Sequence, residues 1–194
     1  MVTVNRLAVP NGRYCAVVSS TRRDASETEA RALAHPVRLR ILRLLRFDEL
    51  TNAEIAVQLE MNPATTLHHV RTLLKSGFID PGVPRPGPNG ITEKPYRATV
   101  KSWTLEISDA PARARAGTAA IDAFTAEIAE PGAKIEALTR LTLNLSPESL
   151  TELRLRLSDI FDEYENRPEP GGEPYALFLA IHGRPKPRRP RSPR

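Results

Sequence analysis

Asn62, Ala64, Thr65, His68, Arg71 and Lys75 recur at the short steps that bring side chains onto one face of an α-helix. A hydroxyl, an imidazole, an amide and two cations in one row can bond base edges and pair with phosphates. Ala64 offers a methyl for a thymine methyl, Thr65 a methyl or hydroxyl, and His68 a hydrogen bond to a purine acceptor. Asn62, Arg71 and Lys75 suit phosphate contacts. Thr65 has a plainer alternative, since a threonine at a helix start often bonds its own backbone.

The elements that must hold this row are written around it. Ile55, Ala56 and Leu59 fall at helical spacing after Thr51 or Asn52, either of which can cap a helix. Glu60-Met61-Asn62 makes a turn, and Asn62-Pro63 restarts the chain with a cap and a proline at the first helical position. Thr66, Val70 and Leu73 face inward with Leu74 beside them, and Gly77 ends the helix. Phe78-Ile79 then begins an extended run, broken at Asp80-Pro81-Gly82 and by the loop Pro84 to Gly90. A second extended run is expected from near Ile91 through Tyr96, Ala98 and Val100 to Leu105. Two helices followed by a hairpin with a Gly/Pro-rich tip is the order of a winged helix. Arg85 in that tip, with Lys94 and Arg97 on the returning strand, would reach phosphates beside the groove.

Three ordered motifs carry a family resemblance. Residues 32–45 (ALAHPVRLRILRLL), 63–73 (PATTLHHVRTL) and 93–99 (EKPYRAT) resemble ArsR-type winged helix-turn-helix transcription regulators, in particular the longer actinobacterial-style helix-turn-helix domain proteins. The likeness covers residues 27 to 105 well. It continues more loosely to residue 183 through Leu145-Ser-Pro-Glu148 and the run from Pro174 to His182. The resemblance implies a homodimeric bacterial repressor or activator on an inverted repeat, with the helix beginning near Pro63 as the recognition helix.

Charge is divided along the chain. Through residue 105 there are 15 basic and nine acidic residues; from 106 to 183 there are seven and 14. Residues 184–194 hold six basic residues and no acidic one, interleaved with proline, and are expected to form a disordered basic tail. The acidic middle is not expected to lie along phosphates. Hydrophobic residues at 40% and charged residues at 26% fit a globular protein. No run approaches the roughly 18 apolar residues of a membrane span, and no export signal is visible. The cytoplasm is the expected compartment, without membrane partners.

Ahead of the helices, residues 1–26 read as a loosely fixed arm holding Cys15, with Ser26 and Glu29 spaced as a capping box. Pro36 divides a short leading helix from a main one striped with Val37, Ile41, Leu44 and Leu45. Arg38, Arg40, Arg43 and Arg46 on that helix are expected mostly in water. Beyond residue 105, an alanine-rich helix is expected from Pro111 to about Glu130, and Ser146-Pro147 opens another reaching about Asn166. Residues 134–145 suit a helix or, near their end, a strand. Residues 175–182 suit a buried strand paired with 139–145.

The expected fold is therefore mainly α with small β. It comprises the arm (1–26), a winged helix-turn-helix domain (27–105), an α+β dimerisation region (106–183) and the tail (184–194). Tyr175 and Phe178 could line a small-molecule effector pocket; a purely dimerising role for the region is the alternative.

Other chemistry is missing. A lone cysteine excludes an intrachain disulfide. Adjacent His68 and His69 point about 100° apart on a helix and do not chelate in the usual i, i+4 manner. Many relatives of the family sense metals through cysteines in the helix before the turn, but here that helix reads NAEIAVQL. No metal site and no cofactor is expected. Nor is there a phosphate-binding glycine loop, a Gly-x-Ser-x-Gly elbow or a catalytic metal pair, so an enzyme is not expected. Double-stranded DNA and a second copy of the chain are the expected partners. A winged-helix protein-interaction module that does not read DNA is the rival reading.

Overall fold

A computed structural model describes residues 22–167 and 169–183. Strand β1 (Arg23–Asp24) leads into α1 (Glu27–Leu33), where Ser26 and Glu29 form the expected capping box. Glu29 does more than cap. It is buried, it pairs with Arg23 and Lys101 at 2.7 Å each, and its carboxyl is held well below the usual carboxylate range, chiefly by Arg23.

Helix α2 (Pro36–Leu44) starts at the expected proline, capped by His35, whose Nδ1 accepts from the Val37 amide at 3.3 Å. The arginines of α2 overturn the expectation of a solvated row. Arg38 is 8% exposed, and its guanidinium donates to the Ala32 and Arg31 carbonyls at 2.5 and 2.7 Å. Those carbonyls lie in the last turn of α1, where that of Arg31 also accepts from the Ala34 amide at 3.3 Å, and Arg38 ties the helix end into a fixed corner. Arg40 and Arg43 pair with Glu130 at 2.9 Å each, Arg43 also with Glu127 at 3.1 Å, and Arg46 with Glu165.

Helix α3 (Asn52–Gln58) is capped by Thr51 in a second capping box with Glu54. Glu60 takes the turn with φ +53°, a left-handed conformation uncommon for a residue other than glycine. Helix α4 (Pro63–Lys75) begins at the Asn62 cap, whose Oδ1 accepts from the Ala64 amide at 2.8 Å. It ends with Gly77 at φ +69° and the Phe78 amide donating to the Leu73 carbonyl at 3.0 Å. That six-to-one bond, with Phe78 and Leu73 both in the core, is a Schellman stop. The core itself is Ile41, Leu45, Ile55, Val70, Leu73, Phe78 and Ile79, each 0–1% exposed.

The wing is antiparallel, β2 (Ile79–Pro81) on β5 (Tyr96–Ala98) and β3 (Arg85–Pro86) on β4 (Thr92–Glu93). Leu50 bridges Tyr96 from the other side. The returning strand is not continuous from 91 to 105 as expected. Buried Pro95, which has no N–H to donate, separates β4 from β5, and a 3₁₀ turn at Val100–Ser102 ends the hairpin. The chain then forms β6 (Leu105–Glu106), which pairs in parallel with β1.

Helix α5 (Ala110–Ile128) packs on α1 and α2 through Ala112, Ala119 and Ala123. Small side chains let the helices approach closely, so the ion pairs from Glu127 and Glu130 reach α2. Helix α6 (Pro147–Glu165) is capped by Ser146, as the sequence suggests, yet no residue on it is buried. Its contacts include Trp103, which donates to Asp162 at 2.7 Å and meets Phe161 edge-on at 5.9 Å, the Arg46–Glu165 pair, and Arg154 at 3.6 Å from Glu106 of β6.

The expected strand pair between 139–145 and 175–182 is not formed; both runs lie outside helix and strand and their large apolar residues are exposed. Phe178 stacks on Phe124 of α5 at 4.9 Å, which draws the second run toward α5 instead of toward the first. The expectations for Cys15 and for the 184–194 tail fall outside the described residues, as does most of the arm.

Glu29 joins the cap of α1, β1 and the turn after the wing. Glu29→Gln is expected to cost about 2 kcal/mol at neutral pH, the size of a charge-assisted hydrogen bond. A carboxyl with a depressed folded-state pKa contributes fully above its unfolded value of 4.5, and the contribution is lost as pH falls below that. Urea unfolding of both proteins should therefore show a gap that narrows in acid; a gap constant with pH would contradict this role.

Candidate nucleic-acid interface

The position of each predicted contact follows from which side of α4 is locked inside. Thr66, His69, Val70 and Leu73 are buried, so Asn62, Ala64, Thr65, His68, Arg71 and Lys75 come out on the opposite, exposed side together. Leu74, expected to face inward, is instead 37% exposed at the edge of that side. At step 74 the helix has turned past the core, which Leu73 and Phe78 already fill.

Several of these side chains retain free hydrogen-bonding capacity. Asn62 uses its carbonyl oxygen on the Ala64 amide, which leaves its NH2 group. Among the described residues Thr65 makes no side-chain hydrogen bond, whereas Thr72 donates to the His68 carbonyl and Thr66 to that of Asn62. Arg71 and Lys75, like Lys94 and Arg97 on the wing side, are exposed and have no ion-pair partner among the described residues.

Arg85 differs. Its guanidinium lies 2.5 and 2.7 Å from the two carboxylate oxygens of Glu54, and 3.4 Å from Glu93. The wing is thereby tied to the start of α3, and Glu54 is held below its ordinary pKa by the Thr51 amide first and by Arg85 further. Sequence reasoning had no signal for this pair, since Glu54 lies 31 residues from Arg85 and was not singled out. The tip is closed by Gly87, where an added Cβ would stand 2.4 Å from the Glu93 side chain and 2.8 Å from the Ile91 carbonyl oxygen.

Beneath α4 lies a histidine contact. His69 is 7% exposed, its ring is 4.5 Å from that of His35, and its Nδ1 has no partner. Burial first, then the charges of His35, Arg38 and His68, pushes its pKa down to about 4. A neutral imidazole here packs the end of α2 against α4. Among the described residues no group of three or more His, Cys, Asp or Glu side chains is placed to hold a metal ion. Of the two pocket candidates, Tyr175 borders a cavity of about 360 Å³ together with Leu42, Arg43, Arg46 and Phe47, whereas Phe178 is engaged with Phe124.

Two helices set by a tight turn, the second with an exposed polar and basic face, plus a braced hairpin, constitute a winged helix-turn-helix domain. Residues 33–81 match a family model described as a helix-turn-helix domain. The matched segment runs from the end of α1 to the end of β2. Among solved structures, reduced HlyU from Vibrio cholerae N16961 is similar at 24% identity over 40% of this chain and 78% of that one, with a TM-score of 0.33. No curated protein matches the chain. Among the described residues no helix is long and apolar enough to cross a membrane.

His69 gives a pH dependence with a definite sign. Its pKa is about 4 folded and near 6.5 unfolded, so between those values the unfolded chain binds more protons. Its contribution is present above pH 6.5 and is lost as pH falls toward 4. Wild type should therefore lose stability more steeply than His69→Gln over that window in urea titrations. Parallel curves would show that His69 is not held neutral.

Proposed function

We propose that the chain is a sequence-specific DNA-binding transcription regulator, acting as a homodimer on an inverted-repeat operator with α4 in the major groove. The observation that carries this reading is the division of α4: one side is core, while the other presents a hydroxyl, an imidazole, an amide and two unpaired cations. Ala64, Thr65 and His68 near the start of α4 read base edges. Asn62, Arg71 and Lys75 grip phosphates on either side, and Lys94 and Arg97 extend the grip along the wing. Arg85 braces the wing through Glu54 and engages phosphate only by exchanging that carboxylate for it. Residues 106–183 supply dimer contacts, and the two recognition helices meet half-sites about one DNA turn, roughly 34 Å, apart.

Selection of random duplexes by the purified full-length protein tests this reading. An inverted repeat is the expected product. On the selected site, Thr65→Ala should relax preference at one base position in each half-site, by about 1–3 kcal/mol of discrimination. Arg71→Ala should weaken binding to every sequence and reduce the salt slope by about one. Recovery of no consensus would favour the protein-interaction reading. Equal loss by Thr65→Ala on selected and random duplexes would remove the base-reading role of that residue.

A further inference from the structure

The two apolar runs that fail to pair within the chain have a common chemistry. Leu141, Leu143 and Leu145 alternate with Thr142 and Asn144 and are 62, 56 and 40% exposed. In the second run Tyr175, Leu177, Leu179 and Ile181 alternate with Ala176, Phe178 and Ala180, and are 47–76% exposed. The first run alternates apolar with polar residues, the pattern of a strand with one buried face, and the second is a continuous apolar run of strand length. Among the described residues, neither run makes a backbone–backbone hydrogen bond. Extended apolar backbone with unpaired N–H and C=O groups is a template for another strand, and a lone monomer carrying two such templates invites aggregation.

We propose that these runs pair between two copies of the chain, 139–145 of one beside 175–181 of the other, and reciprocally. The proposal rests on the homodimer reading above and names the surface that makes it. Each copy brings two open runs of seven residues, so a two-fold arrangement matches both pairs at once and closes. Any other partner would have to provide two strands of its own at the same spacing. The leucines, tyrosine and isoleucine of the two runs are 40–76% exposed and so are available for burial in an interface, whose standard size takes about 800 Å² from each side. Phe178, seated on Phe124, anchors the second run to α5, so the pairing would join each copy's strand to its partner's winged domain through α5 and α2.

The test uses the full chain without DNA, so that it is independent of the operator reading. Sedimentation should give a dimer for wild type and a monomer for Leu143→Glu and for Leu179→Glu. Both positions are exposed, so unfolding of the winged domain should be unchanged. In a Cys15→Ser background, differently tagged Leu143→Cys and Leu179→Cys proteins, mixed and oxidised, should form a disulfide between the two tags. The proposal is overturned if wild type is a monomer, if the glutamate variants remain dimers, or if the mixed cysteine proteins form no disulfide between the two tags. A glutamate variant that stays dimeric and still selects an inverted repeat would remove this surface while leaving the homodimer on DNA intact.

Discussion

The rotational setting of α4 is the constraint on which the rest depends. A helix that turns by about 100° per residue changes which side chains meet solvent with a shift of a single position. Thr66, Val70 and Leu73 at 0% exposure pin α4 to Ile41, Leu45 and Ile55, and the Schellman stop at Gly77–Phe78 fixes where it ends. The Asn62 cap fixes where it starts. Between those two ends the side bearing Thr65, His68 and Arg71 has no rotational freedom, which limits the ordering cost of meeting a rigid ligand.

Charge is arranged to the same end. The arginines of α2 are neutralised by α5 and α6 through Glu127, Glu130 and Glu165, and Arg38 is consumed by the carbonyls of α1. Burial raises the Glu127 carboxyl, opposed by Arg43, so this seam lies partly out of water. The cations of α4 have no such partners. Acidic residues of the C-terminal half therefore bind the basic rear of the winged domain and leave its front positive.

What could be read from the sequence was local. Ser26 with Glu29, Asn62-Pro63 and Ser146-Pro147 each state a helix start within four residues and stand where expected, and of the two caps open for α3 it is Thr51 that is used. The burial of Thr66, Val70 and Leu73 was likewise carried by their spacing. Most of the failures depend on contacts between separate elements. Arg38 looks like a surface arginine until the end of α1 is beside it, and the Arg85–Glu54 pair joins residues 31 apart in sequence. The 139–145 and 175–182 runs carry a clear strand pattern, but a strand needs a partner, and the sequence pattern does not name one.

The most direct measurement is affinity cleavage. With a cleaving iron chelate attached at Thr65→Cys in a Cys15→Ser background, the cuts on a bound operator should cluster at two places about one helical turn apart. Cuts spread evenly along the duplex, or confined to its ends, would contradict the claim that α4 lies in the major groove.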